Sequence, residues 1–121
     1  MIVDGHLDIA VNVVVDGLDC TLPAAEIRAI ERRSDMQAMV GLPDLVRGGV
    51  GLVFATLFAE PDGSGYSESG YTTPQEAERR ALDQIALYQR WEAEGRIRII
   101  RSRADLEGIS WPGPLTAWSG W

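Results

Sequence analysis

The sequence has a single cysteine, Cys20, among its 121 residues, and this scarcity excludes an intramolecular disulfide framework. A lone thiol fits a reducing compartment. Long apolar runs are also missing, because the longest run near the start, residues 13–15, is far too short to span a bilayer. The polar triplet Asp4-Gly5-His6 interrupts the chain before the apolar segment of a signal peptide could form. The sequence therefore predicts a soluble cytoplasmic protein.

Positive charge is scarce as well. The chain carries 11 basic and 18 acidic side chains, which give a net charge of −7 and a sequence pI near 4.6. This balance argues against a nucleic-acid backbone or an anionic membrane as a partner. The arginines are spread along the predicted helices and are not clustered in a binding patch. Hydrophobic residues make up 45% of the chain, enough for a core, and the length fits one small domain or a piece of a larger one.

Apolar segments and turn signals alternate along the chain in a way that is typical of an α/β fold. The predicted strands cover residues 2–6, 50–58 and 96–100, and the predicted helices cover residues 24–33, 43–47, 74–94 and 102–107. Thr73 with Glu76, and Ser102 with Asp105, form capping-box patterns, and Gly95 is expected to end the long helix. Strands separated by helices predict a parallel sheet. Residues 108–121 show no helical or strand period.

The one histidine, His6, lies two residues before Asp8 at the end of the first predicted strand. Residues i and i+2 of a strand point to the same face, so the imidazole and the carboxylate would project together. These two groups suit zinc and related divalent metals, and parallel α/β folds build active sites at the carboxyl ends of their strands. Asp4 shares the parity and could orient the histidine or bond the backbone. The pattern predicts His6 and Asp8 as metal ligands, against the alternative of a structural histidine.

Four separated blocks resemble one family, the membrane (renal-type) dipeptidases of the amidohydrolase superfamily. The blocks are DGHLD, LPDLVRGGVGLVFATLF, EAERRALDQIALYQRW and RIRIIRSRADLE, and together they cover about residues 1–107 in the family's order and spacing. The resemblance implies a TIM-type (β/α)₈ barrel that holds two zinc ions and hydrolyses dipeptides. On that pattern His6 and Asp8 correspond to the first-strand ligand pair, which serves one of the two metals.

The rest of the family's metal site has no counterpart in this sequence. The resemblance implies a bridging glutamate after a later strand, two further histidines and an aspartate, yet the chain has no second histidine. Glu107 lies too early in the pattern to be the bridging glutamate. Since a barrel takes about 250 residues, we expect residues 1–107 to be the N-terminal part of one and residues 108–121 to be an atypical Trp-, Pro- and Gly-rich tail. The chain alone is expected to be an inactive fragment.

Two other functions stay open at this point. One is a catalytically silent α/β module that binds a partner chain, or a second copy of itself, through exposed sheet edges. The other is a different amidohydrolase reaction, such as deamination or lactone opening, which the first-strand pair cannot distinguish from the hydrolysis of a dipeptide.

The remaining candidate residues receive structural interpretations. Cys20 is expected to be a small apolar side chain and not a metal ligand. The segment Gly48-Gly49-Val50-Gly51 is not a phosphate loop, because it lacks the required glycine spacing and precedes a strand. The aromatic residues outside the helices are interpreted as apolar bulk or exposed loop residues: Trp111, Trp118, Trp121, Tyr66 and Tyr71.

Overall fold

The computed structural model describes residues 1–31, 37–63, 70–109 and 115–118, and these form an α/β structure with a parallel sheet flanked by helices. In chain order the elements are β1 (Ile2–Leu7), α1 (Ile9–Val14), α2 (Ala24–Ile30), α3 (Leu42–Arg47), β2 (Val50–Ala55), α4 (Pro74–Ala93), β3 (Ile97–Ile100), α5 (Arg103–Glu107) and β4 (Leu115–Trp118).

The sheet has the strand order β1-β2-β4-β3, and every neighbouring pair is parallel. The prediction of a parallel sheet is therefore confirmed. The central strand β4 lies in residues 108–121, for which the sequence predicted no element. Leu115, Thr116 and Ala117 are all buried, and a strand covered on both faces shows no alternation of polar and apolar residues. Because this period is missing, β4 was not predicted.

The long helix α4 follows its sequence signals closely. The Thr73 hydroxyl accepts a hydrogen bond from the backbone N–H of Glu76 at 3.2 Å, as expected of an N-cap. Gly95 has a φ of 70°, the left-handed conformation that commonly ends a helix. Within the described ranges, none of the helices combines the length and the apolar composition that crossing a bilayer requires.

Other element bounds differ from the prediction. β2 ends at Ala55, earlier than predicted, because the backbone of Phe58 hydrogen-bonds with the side chain of a helical residue, Gln84. α1 is a helix that the sequence analysis did not predict, and its β-branched residues conceal it. Burial of Ile9 and Ala10 in the core holds this helix in place. α2 ends at Ile30, earlier than the predicted end at residue 33, because the backbone of its C-cap residue Glu31 is extended.

The two faces of the sheet differ. On the core face, side chains of β2, β3 and β4 point toward the core: Val53, Ala55, Ile97, Ile99, Leu115 and Ala117. Helices α1 to α4 contribute their buried side chains to the same hydrophobic cluster. The opposite face carries Leu52, Phe54 and Ile100. Together with residues 101–103 and Leu106 of α5, these line a cavity of about 430 Å³. Four of the described helices thus pack on one face of the sheet, and α5 borders the other.

Candidate metal centre

The structure brings His6 and Asp8 together at the carboxyl end of β1. Nε2 of His6 lies 3.0 Å from Oδ2 of Asp8. Both side chains are open to solvent, with 70% of the His6 side chain and 41% of the Asp8 side chain exposed. The predicted contact of the two residues is therefore present, and both groups are accessible to a metal ion.

A β-bulge in β1 determines which face these side chains share. Asp4 pairs with Val53 and Leu7 pairs with Ala55, so three steps along β1 match two steps along β2. The extra residue reverses the face of the sheet to which each following side chain of β1 points. Leu7 joins the core cluster, and its neighbours His6 and Asp8 therefore project toward the opposite face.

The prediction that Asp4 shares a face of the strand with His6 and Asp8 was wrong for the same reason. Its register partner Val53 belongs to the core face, so the bulge separates Asp4 from the face of His6 and Asp8. Oδ1 of Asp4 accepts a hydrogen bond from the backbone N–H of His6 at 3.0 Å. Of the two roles that the sequence allowed, Asp4 takes the backbone one and supports the bulge.

The geometry of the pair fits two neighbouring ligands of one divalent ion. Zinc binds imidazole nitrogen and carboxylate oxygen at about 2.0–2.2 Å, which puts adjacent ligand atoms about 2.8–3.5 Å apart. The observed 3.0 Å separation falls in that interval, although a direct hydrogen bond has the same length. Within the ranges that the structure describes, His, Cys, Asp and Glu side chains form no group of three or more that could hold a metal ion. The described residues therefore offer two ligands of a possible site.

Thr56 is a site residue that the sequence analysis missed. It directly follows β2, and its hydroxyl hydrogen-bonds with Oδ1 of Asp8 and lies 3.0 Å from the backbone oxygen of Leu7. Parallel neighbours end at the same edge of a sheet, so a polar residue after β2 was a usable signal for a partner of Asp8.

Two buried polar residues of α4 hold the segment that contains Thr56. The Tyr88 hydroxyl donates to the backbone oxygen of Thr56 at 3.1 Å. The Gln84 amide accepts from the backbone N–H of Phe58 at 2.9 Å and donates to its carbonyl at 2.7 Å. Burial raises the pKa of the Tyr88 phenol, and a hydrogen bond with the Ala10 backbone only partly offsets this rise. Tyr88 is therefore a neutral hydrogen-bonding group at physiological pH.

The other candidate residues behave as structural elements where the structure describes them. Cys20 is buried in the core cluster, and burial raises the pKa of its thiol to about 11, so the thiolate that a metal requires is disfavoured. Of the glycine segment 48–51, Gly48 and Gly49 connect α3 to β2, and Val50 and Gly51 begin β2. Tyr71 is half-buried, and its backbone pairs with Glu60 and Asp62. Tyr66, Trp111 and Trp121 lie outside the described residues.

Comparison with known proteins adds no family to this description. No protein-family model, no curated protein and no solved structure matches the chain. The likeness to the dipeptidases therefore stays a prediction from the sequence blocks, and the geometry of the site carries the functional argument.

Proposed function

We propose that this chain carries the first-strand ligand pair of a zinc-dependent, membrane dipeptidase-like hydrolase of the amidohydrolase type. The observation that supports this proposal is the contact of His6 Nε2 with Asp8 Oδ2 at the carboxyl end of the first parallel strand. In a (β/α)₈ barrel that end of the strands is where active sites lie. The complete site of this proposal holds two zinc ions, and the pair described here serves one of them.

The distribution of the helices favours a barrel portion over a doubly wound sheet. Doubly wound sheets carry helices on both faces, whereas a barrel has its helices outside and its site-bearing face inside. Here α1 to α4 pack on the core face, the five-residue α5 borders the opposite face, and His6 and Asp8 project toward that opposite face. In this proposal β1, β2 and β4 are consecutive barrel strands. β3 precedes β4 in the chain but lies at the edge beyond it, and this order departs from the sequential strand order of a barrel.

The chain's own residues would hold the metal in a defined way. A histidine ligand binds through an unprotonated nitrogen, so binding at Nε2 of His6 puts the ring proton on Nδ1. Asp8 would bind through Oδ2, the oxygen that faces the imidazole. When bound, zinc supplies polarisation of the scissile carbonyl and activation of a water molecule. The remaining ligands come from elements beyond the residues described here, and we expect no hydrolysis from these two ligands alone.

The test of this function is the effect of His6→Ala on zinc binding and on dipeptide turnover. In a protein that supplies the remaining ligands, we expect loss of one zinc ion and of most hydrolysis, because a site with a lost ligand cannot hold its metal. Glu107→Gln is the control, since it removes only an exposed ion pair with Arg103. Zinc content and turnover that stay unchanged in His6→Ala would end the assignment.

A second candidate function is supported by the edge strand β1. Ile2 is 55% exposed and Val3 is 51% exposed, and both lie on a strand at the edge of the sheet. An apolar edge of this kind can recruit another strand. On this alternative the chain is a catalytically silent module that binds a partner chain, and it would bind zinc no better than background. The first-strand ligand pair does not distinguish other amidohydrolase reactions from peptide hydrolysis, and substrate assays would separate them.

A further inference from the structure

The geometry points to Thr56 as the positioning residue of Asp8: its hydroxyl engages Oδ1 and thereby orients Oδ2 toward His6, where the two groups can bind one metal ion. This inference rests on the proposed function and deepens it. It assigns a residue that orients the ligand pair His6 and Asp8 but does not itself contact the metal. The carboxylate would then present Oδ2 to the metal ion.

The hydrogen count at Thr56 supports this division of the carboxylate. A threonine hydroxyl has one hydrogen, and two acceptors lie within reach: Oδ1 of Asp8 and the backbone oxygen of Leu7. An ionised carboxylate is the stronger acceptor, and the Leu7 carbonyl already accepts from the Thr56 backbone N–H at 3.3 Å. The hydroxyl hydrogen therefore belongs to Asp8, whose other oxygen faces His6.

The Asp8 side chain does not cap α1, although its position would favour that role. It occupies the N-cap position of α1, where an aspartate side chain normally accepts a hydrogen bond from the first turn, yet it makes no such bond. The Ala10 backbone in that turn hydrogen-bonds instead with the Tyr88 hydroxyl. Tyr88 thus bonds the first turn of α1 in place of Asp8. Of the two carboxylate oxygens of Asp8, Oδ1 contacts Thr56 and Oδ2 contacts His6.

Thr56 is itself held rigidly. Tyr88 and Gln84 are almost fully buried, with 2% and 0% of their surface exposed, and they lie one helical turn apart on α4. Tyr88 contacts the carbonyl of Thr56, and Gln84 bonds both backbone groups of Phe58. The longest helix of the described chain therefore anchors the residue that orients Asp8.

The experiment is a titration of the 121-residue chain with Co²⁺, followed by NMR of the histidine ring. His6 is the only histidine, so its ring signals report on this site alone and reveal even millimolar binding. We expect Thr56→Val to weaken Co²⁺ binding by about 10-fold or more, the usual effect of losing a partner of a metal ligand. Thr56→Ser keeps the hydroxyl and should bind within about twofold of the wild type. Thermal unfolding of each variant records its stability, and Thr56→Ala replaces Thr56→Val if that variant does not fold.

The outcomes separate this inference from the proposed function. Loss of binding in Asp8→Asn, which keeps the His6 ring as reporter, together with wild-type affinity in Thr56→Val and Thr56→Ala overturns the role of Thr56 and leaves the ligand pair in place. Ring signals that do not respond to Co²⁺ in the wild-type chain overturn both. A Thr56→Ser variant as weak as Thr56→Val, at equal stability, also overturns the inference, because the hydroxyl would then not be the responsible group.

Discussion

The core face of the sheet carries mostly buried side chains, whereas the opposite face combines the buried Leu52 and Ile100 with exposed residues, among them both candidate ligands. On the core face, Tyr88 and Trp91 of α4 are each only 2% exposed, and their rings meet edge to face with centroids 6.0 Å apart. On the opposite face, Phe54 keeps 37% of its surface in solvent, and the His6 side chain keeps 70%. The bulge in β1 creates this division, because it turns Leu7 inward and its two polar neighbours outward. A one-residue change of register thus places Leu7 on the core face and the two candidate ligands, His6 and Asp8, on the opposite face.

The strongest way to break the comparison is to remove bulk from the core face. We expect Trp91→Ala to lower the free energy of unfolding by about 3–5 kcal/mol, since it leaves a cavity among buried neighbours. Leu82→Ala is the matched control on the same helix, because Leu82 is 55% exposed and should lose no more than about 0.5 kcal/mol. Urea unfolding followed by circular dichroism measures both. Equal losses in the two variants would contradict the assignment of stability to the core face.

The next test concerns the edge strand β1. We expect the 121-residue chain to self-associate without hydrolysing dipeptides in added zinc, because a half-exposed apolar edge is open to pairing. A charge placed on the edge, Val3→Lys, should raise the dissociation constant roughly 10-fold, equivalent to about 1.4 kcal/mol. Sedimentation velocity measures the effect, with Leu82→Lys as the control. A stable monomer that cleaves dipeptides would mean that the chain is a complete enzyme.

The smallest expected effect concerns the packing of α2 and α3 beneath the core face. The Asp44 carboxylate accepts backbone hydrogen bonds from Ala24 at 2.6 Å and from Gly41 at 3.0 Å, and these bonds lower its pKa. A lowered folded-state pKa means that the stabilisation is present above the unfolded value, about 4, and is lost as pH falls through the folded-state value.

We therefore expect Asp44→Asn to cost about 1 kcal/mol at neutral pH, the usual contribution of a helix-capping side chain, and less in acid. Urea midpoints at pH 7 and pH 3 measure the difference. Asp83→Asn, at an exposed position of α4, is the control. A cost for Asp44→Asn that does not change with pH would show that the charge of Asp44 is unimportant.

Sequence reasoning reached those features that depend on neighbouring residues. The spacing of His6 and Asp8 predicted their contact, and the signals at Thr73 and Gly95 predicted the bounds of α4. The prediction of the face on which Asp4 lies failed because a bulge depends on the register with the partner strand, and local spacing does not reveal that register. The contacts of Thr56 and Tyr88 were not predicted, because their partners lie far along the chain: 48 residues separate Thr56 from Asp8, and 32 separate Tyr88 from Thr56. Such contacts appear only once the sheet is assembled.

These long separations have a consequence for the order in which the chain matures on the ribosome. Tyr88 follows Asp8 by 80 residues, and synthesis at roughly 5–20 residues per second takes about 4–16 s to cover that distance. During this interval His6 and Asp8 have already been synthesised, but the helix that anchors their surroundings has not. The candidate ligands are thus made first and oriented late, when α4 packs against α1 and β3.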